Sequence, residues 1–242
     1  MSHPARVKSI EERVEGISWE QVAQDLDAEG NAVIKDILST DECDKIRSLY
    51  EKKKIFRSQV VMERHGFGRG EYRYFSYPLP SLIAALRTSV YPHLVPIANR
   101  WNKTMGINVL YPAKHDDFID RCHQAGQDKP TPLLLKYGSD DYNCLHQDLY
   151  GEHVFPLQLA ILLSEPDQDF TGGEFVMTEQ RPRMQSRPIV VSLRKGDGVV
   201  FAVQNRPVRG KKSVYRVNLR HGVSRLRSGS RLTLGIIFHD AK

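Results

Sequence analysis

The chain has 242 residues, room for one unit with a substantial core and a decorated edge but not comfortably for two. Its hydrophobic fraction of 40% excludes a disordered chain, and no apolar run approaches the length that would span a bilayer. The net charge of +6 is unevenly spread: Arg181 to Arg231 holds fourteen Lys or Arg and one acid, Asp197, so the remainder is net negative and a polyanionic partner is suggested.

The polar start Met1-Ser2-His3-Pro4-Ala5-Arg6 lacks the apolar core of a signal peptide. Residues 1–16 are charged and aperiodic and read as a loose arm. Ser18-Trp19-Glu20-Gln21 has the form of a capping box, with a short helix running from it to Gly30. Ala32-Val33-Ile34 reads as a strand. A second capping box, Ser39-Thr40-Asp41-Glu42, opens a helix through Cys43, Ile46, Leu49 and Tyr50, closed by Lys52-Lys53-Lys54. Two strands, Gln59–Met62 and Glu71–Phe75, are joined by the glycine-bearing segment Gly66–Gly70, a candidate lid. From Pro80 to Lys103 an apolar stripe recurs at helical spacing, and Pro92 and Pro96 are expected to kink or divide it. A further helix covers about Asp116 to Gln124.

After Pro130 the texture changes to short strands: Leu133–Tyr137, Tyr142–Asp148, Leu157–Leu163, Glu174–Met177, Ile189–Leu193, Gly198–Ala202, Tyr215–His221 and Leu232–Phe238. Eight such strands with turn signals between them fit a double-sheet jelly roll, with the preceding helices packed on the larger sheet. The expected fold is therefore mainly β with some α. It forms a single unit over 1–242, with an extension of helices and strands over 1–129 and the jelly-roll core over 130–242. The three cysteines, Cys43, Cys122 and Cys144, have no paired spacing, which points to a reducing compartment, cytoplasm or nucleus, and against structural zinc. A small buried thiol is the simplest account of Cys144.

The chemistry centres on Leu145-His146-Gln147-Asp148-Leu149-Tyr150. Residues two apart in a strand share a face, so His146 and Asp148 can hold one metal ion between them. A second His-x-Asp, at His115-Asp116-Asp117, opens a helical segment, where the same spacing puts the side chains on nearly opposite sides of the cylinder. His221 ends a later strand and Arg231 opens the next. Two histidines and a carboxylate on one face leave metal positions open for other ligands, and an arginine beside them offers a planar fork to a carboxylate.

With these residues in place, in the order Tyr137-Gly138, His146-Gln147-Asp148, Thr171-Gly172-Gly173-Glu174-Phe175, Gly196–Phe201, His221-Gly222-Val223 and Arg231, the second half of the chain resembles the Fe(II)/2-oxoglutarate-dependent dioxygenases. Within them it resembles the prolyl-4-hydroxylase-like branch. The resemblance implies the double-stranded β-helix fold and Fe(II) on His146, Asp148 and His221. It also implies 2-oxoglutarate on Arg231 with Thr233 and Tyr137, O2 as co-substrate, and ascorbate as a further candidate cofactor. The implied reaction couples decarboxylation of 2-oxoglutarate to succinate and CO2 with hydroxylation of a substrate.

For the substrate, Arg73, Tyr74, Arg181 and Arg183 are expected at the mouth, with Tyr72, Tyr74 or Phe75 offering a stacking surface. The basic 181–231 segment favours oxidative demethylation of an alkylated nucleic-acid base. The ten-residue step from His221 to Arg231 favours a protein side-chain, prolyl-type hydroxylase instead. A small-molecule hydroxylase and a non-catalytic jelly-roll binding module complete the alternatives, with oligomeric state open.

Overall fold

The computed structural model describes residues 8–149, 151–210 and 213–242. Helices α1 (Ile10–Glu15) and α2 (Trp19–Glu29) lead into β1 (Asn31–Ile34), α3 (Thr40–Leu49), β2 (Phe56–Val61), β3 (Gly68–Arg69) and β4 (Glu71–Phe75). Two helices follow, α4 (Ser81–Met105) and α5 (His115–Gln124). Then come β5 (Leu133–Tyr137), β6 (Tyr142–His146), β7 (Leu157–Leu162), β8 (Phe170–Gly172), β9 (Phe175–Gln180) and β10 (Arg187–Val191). The chain closes with β11 (Gly198–Ala202), β12 (Asn205–Arg209), β13 (Val214–Val223), β14 (Leu226–Gly229) and β15 (Arg231–Ile236).

All eight expected jelly-roll strands form, and they divide between two sheets. The larger sheet runs β1-β11-β7-β15-β5-β4-β2, the smaller β10-β9-β13-β6-β3 with β12 alongside β13. In the middle of the larger sheet β7, β11 and β15 are buried along their whole length, whereas β9 alternates buried and half-buried residues, as a strand does when only one face meets the core. The short pairs β8 with β14 and β12 with β13 lie outside the eight-strand pattern. One continuous apolar core joins Ile10 and Val14 of α1, the stripe of α4 and the interior of both sheets.

Four local expectations are corrected. Residues 9–16 are not a loose arm: Ser9 and Glu12 form a reciprocal capping box, and α1 buries Ile10 and Val14; residues 1–7 lie outside the described residues. Ser18 makes no side-chain cap, and Gln21 donates to Asp25 instead. Pro92 and Pro96 do not divide α4, which runs unbroken for 25 residues. Both are exposed and one turn apart, so the missing donor of Pro96 falls on the carbonyl of Pro92, where water can satisfy it. The expected lid is tied down: Met62–His65 forms a 3₁₀ turn, β3 pairs with β6, and the carbonyl of Phe67 accepts the Cys144 N–H at 2.9 Å. Residues 62–70 thus cross from the edge of one sheet to the edge of the other. Gly68, at φ 128°, permits this, because a Cβ there would strike the Tyr142 carbonyl.

Behind the core, Arg87 of α4 reaches the end of the chain. Its guanidinium pairs with Asp240 at 2.8 Å and donates to the Ile237 carbonyl, with both charged groups almost fully buried. Tyr77 and His123 also bond the Asp240 carboxylate. Three groups converging on one buried acid pin α4 and α5 against the larger sheet.

Candidate active site

His146 ends β6 and faces His221 of β13 directly across the ladder, their ring centroids 4.2 Å apart. A register irregularity after His221 and the close approach of Gly222 to the backbone of Asn143 and Cys144 fix that phase. Asp148 lies two residues beyond His146. Its two oxygens stand 3.5 Å from His146 Nε2 and 3.4 Å from His221 Nε2, and all three ligand atoms lie within 4.8 Å of one another. The second His-x-Asp lies on a helix, as expected: His115 is in α5, buried, bonded to the Phe238 carbonyl.

These residues fit a divalent metal. A carbonyl only accepts, so the 2.8 Å contact from His146 Nδ1 to the Cys144 oxygen places the proton on Nδ1 and leaves the Nε2 lone pair facing Asp148. Three ligands on one face of an octahedral ion, each about 2.1 Å from it, stand roughly 3 Å apart, close to the separations seen. Burial works against charge on all three groups, raising Asp148 and lowering the two imidazoles. The imidazoles nevertheless hold the Asp148 carboxyl well below its ordinary range, and contact with Asp148 leaves His146 raised while His221 stays lowered.

Across the interior, Arg231 opens β15 opposite Tyr137 of β5, with Thr233 one inward position further on. The Arg231 guanidinium is 2% exposed, lies 5.7 Å from the Tyr137 ring and 5.9 Å from that of Phe170, and donates through Nη1 to Thr233 Oγ1 at 2.6 Å. Its Nε has no partner, and no carboxylate lies within ion-pairing distance among the described residues. Burial pushes it down to about 10. A buried cation with spare donors and no internal counter-ion fits an incoming carboxylate. Gly173, at φ 64°, makes the room: a Cβ there would lie 2.5 Å from Leu226 Cδ1 and 3.2 Å from Arg231 Cδ. The Gly172-Gly173 pair therefore does more than turn the chain.

One cavity of about 400 Å³ is lined by His146, Asp148, His221, Arg231, Thr233 and Tyr137 together. Tyr72 and Tyr74 line it too, their rings 5.4 Å apart and edge to face. The other expected mouth residues lie elsewhere. Arg73 alternates to the opposite face of β4, is buried, and donates to the Tyr50 carbonyl while stacking on that ring. Phe75 packs on Phe56 from the same side. Arg181 and Arg183 sit in the β9–β10 turn outside the cavity wall, and Arg181 bonds Glu179, a buried acid shared with Arg206 and Arg187. Cys144 is exposed rather than buried, and all three cysteines are free.

The basic segment is only partly a patch. Arg181, Arg187, Lys195, Arg206 and Arg225 are committed to ion pairs. Arg209, Arg216 and Arg220 share the outward face of the β12–β13 hairpin; Lys211 and Lys212 lie outside the described residues. Sequence reading missed Gln158 and Asn143. Gln158 stands in a wholly apolar-looking strand, and its polarity there was the available signal.

A jelly roll carrying a His-x-Asp…His cluster opposite a buried arginine defines the class of 2-oxoglutarate/Fe(II)-dependent oxygenases. The chain belongs to the Oxygenase-NA family, described as an oxygenase catalysing oxidative methylation of damaged DNA, which it matches over residues 70–241. An uncharacterized protein of Mycobacterium tuberculosis is 50% identical over 167 residues, 69% of this chain and 72% of its own. Among solved structures, a Trichoplax adhaerens prolyl hydroxylase, in complex with a hypoxia inducible factor peptide, is 14% identical with a TM-score of 0.56, over 93% of this chain and 89% of its own. A 2OG-Fe(II) oxygenase family oxidoreductase of Burkholderia pseudomallei is 14% identical with a TM-score of 0.54, over 93% of both chains. A Pseudomonas putida prolyl-4-hydroxylase is 13% identical with a TM-score of 0.51, over 93% of this chain and 99% of its own. At such identity these likenesses establish the fold. No helix among the described residues is long and apolar enough to cross a membrane.

Proposed function

We propose that the protein oxidatively removes an alkyl group from a nucleic-acid base. In this reading His146, Asp148 and His221 hold Fe(II), and Arg231, Thr233 and Tyr137 bind 2-oxoglutarate. The observation that carries it is the buried Arg231 guanidinium, its Nε without a partner and no carboxylate among the described residues in contact with it, facing the same cavity as the triad. When bound, iron and 2-oxoglutarate supply O2 activation, with one oxygen atom going to succinate and the other to the substrate. Hydroxylation of an N-methyl group then releases formaldehyde and the unmodified base.

The chain's own residues bind and orient. The Cys144 carbonyl fixes the His146 tautomer, and Phe201, 4.6 Å from the His221 ring, shields that imidazole from water. Arg231 Nη1 donates to Thr233 Oγ1, so the threonine hydroxyl proton is free to point at the distal carboxylate of the cosubstrate. Tyr137 accepts from Asn143 Nδ2 at 3.3 Å and has its own proton to give, and burial pushes its phenol up, keeping it a neutral donor. The core running from Ile10 to Phe238 supports treating the helical extension and the jelly roll as one catalytic unit. Ascorbate would keep the iron ferrous, and three free thiols suit the cytoplasm or nucleus.

The family description, the Tyr72 and Tyr74 rings in the cavity and the outward arginines of β12–β13 support a nucleic-acid substrate. The ten-residue step from His221 to Arg231 supports a protein side chain instead. A succinate-release assay against alkylated oligonucleotides and against peptides separates the two. Iron-dependent release stimulated by the oligonucleotides alone supports dealkylation, and stimulation by peptides alone overturns it. His146→Ala, at a half-buried strand end, is expected to abolish release while leaving the circular dichroism spectrum unchanged.

A further inference from the structure

Gln158 of β7 is 4% exposed, lines the cavity, and its Nε2 has no hydrogen-bond partner. A buried amide left unsatisfied costs on the order of 1–3 kcal/mol, so its place in an otherwise apolar strand calls for a reason. We infer that the Gln158 amide is a specificity-determining residue that hydrogen-bonds the edge of the inserted alkylated base. This rests on the dealkylase reading above and names what recognises its substrate.

Strand register places the amide. Gln158 lies directly across from Phe201, whose ring packs on His221, so it stands on the metal side of the cavity. Thr233 is paired with Leu162, four residues further along β7. Four residues of extended strand span about 13 Å. The two carboxyl carbons of 2-oxoglutarate, four C–C bonds apart, are separated by only about 5 Å. A cosubstrate anchored at Arg231 and Thr233 therefore ends short of Gln158, leaving the amide to the primary substrate.

Further along the same sheet the wall is aromatic. Tyr74 pairs with Leu133, which pairs with Gly235, which pairs with Ala160, the next inward position to Gln158. Those three strand steps amount to about 14 Å, room for one base between a tyrosine ring and the amide. A primary amide carries a donor and an acceptor side by side, the pattern that reads a base edge in pairs. An apolar residue of the same size would stack equally well but could not tell one base from another.

The test measures fluorescence anisotropy of short single-stranded oligonucleotides carrying one 1-methyladenine, one 3-methylcytosine or no modification. They are bound under anaerobic conditions to the full chain with Fe(II) and 2-oxoglutarate, in the parent and in Gln158→Leu and Gln158→Glu. The parent is expected to prefer an alkylated strand. Gln158→Leu should lose roughly ten-fold of that preference while its affinity for 2-oxoglutarate stays within two-fold and its melting temperature does not fall. Gln158→Glu should change which methylated base is preferred, since it loses the donor. Preference retained in Gln158→Leu overturns the assignment alone. So does a shift confined to 2-oxoglutarate affinity, or a fall in melting temperature, which would reveal an internal partner. A parent with no preference for alkylated strands sinks the dealkylase reading, and this inference with it.

Discussion

Replacing Arg231 with methionine should make the cosubstrate-free protein more stable and the cosubstrate-bound protein less so. The guanidinium is fully buried and charged at neutral pH, yet burial lowers it from 12.5 to about 10, a net cost near 3 kcal/mol that the more distant Glu174 offsets only in part, no carboxylate among the described residues being in contact with it. Methionine removes that cost but gives up the bond to Thr233 and some packing against the Tyr137 and Phe170 rings, leaving a net gain of about 1–2 kcal/mol. At this chain length that corresponds to roughly 2–8 °C in melting temperature. With 2-oxoglutarate at a hundred times its Kd the parent gains about 2.7 kcal/mol, and Arg231→Met gains almost nothing. The two proteins should therefore exchange order in a thermal melt when the cosubstrate is added, and the Michaelis constant for 2-oxoglutarate should rise at least a hundred-fold. Scanning fluorimetry with and without 2-oxoglutarate reads both effects. A lower melting temperature for the variant without cosubstrate would refute the reasoning, because it would mean the charge is already compensated inside the protein.

Gly173→Ala should raise the Michaelis constant for 2-oxoglutarate several-fold in a succinate assay, because its Cβ meets Leu226 and the Arg231 side chain at a φ of 64°. Stability should fall as pH drops. Burial holds His115 and His239 down to about 4, so between pH 6.5 and 4 the unfolded chain binds more protons than the folded one. Urea denaturation at pH 5 should show a loss of about 2 kcal/mol for each relative to pH 7, and the slope should weaken in a His115→Phe variant. Asp240→Asn leaves Arg87 buried without its counter-ion, for an expected cost of about 3–5 kcal/mol read as a drop on the order of 10 °C by calorimetry.

The strands of the jelly roll were legible because each carries its own period of two or its own apolar run, bounded by glycine or proline. So were the six residues that meet in the cavity: a His-x-Asp at a strand end, a histidine and an arginine on later strands, a threonine two positions past that arginine, and a tyrosine closing the strand before the His-x-Asp. What sequence hid was which face of a strand each residue takes. Arg73 and Tyr74 are neighbours, yet only Tyr74 sees the cavity, because adjacent side chains point apart and nothing local says which side is inside. Whether the fourteen cations of the 181–231 segment form one patch was not legible, because the acids that divide them, Glu29, Asp44, Asp140 and Glu179, come largely from other parts of the chain. Ser9 was overlooked as a cap because α1 is too short to show a period, and its helix depends on burying two residues against α4.

The cross-strand pairing of His146 with His221 sets how the molecule can tolerate change in length. The tip at 181–186 lies beyond the last paired rung of its hairpin, so extra residues inserted there lengthen a loop and leave the ligands where they are. One residue added between Cys144 and Asp148 would instead rotate a ligand to the far side of its strand. Divergent copies of this chain should accordingly vary freely in hairpin length while keeping an invariant count across those five positions.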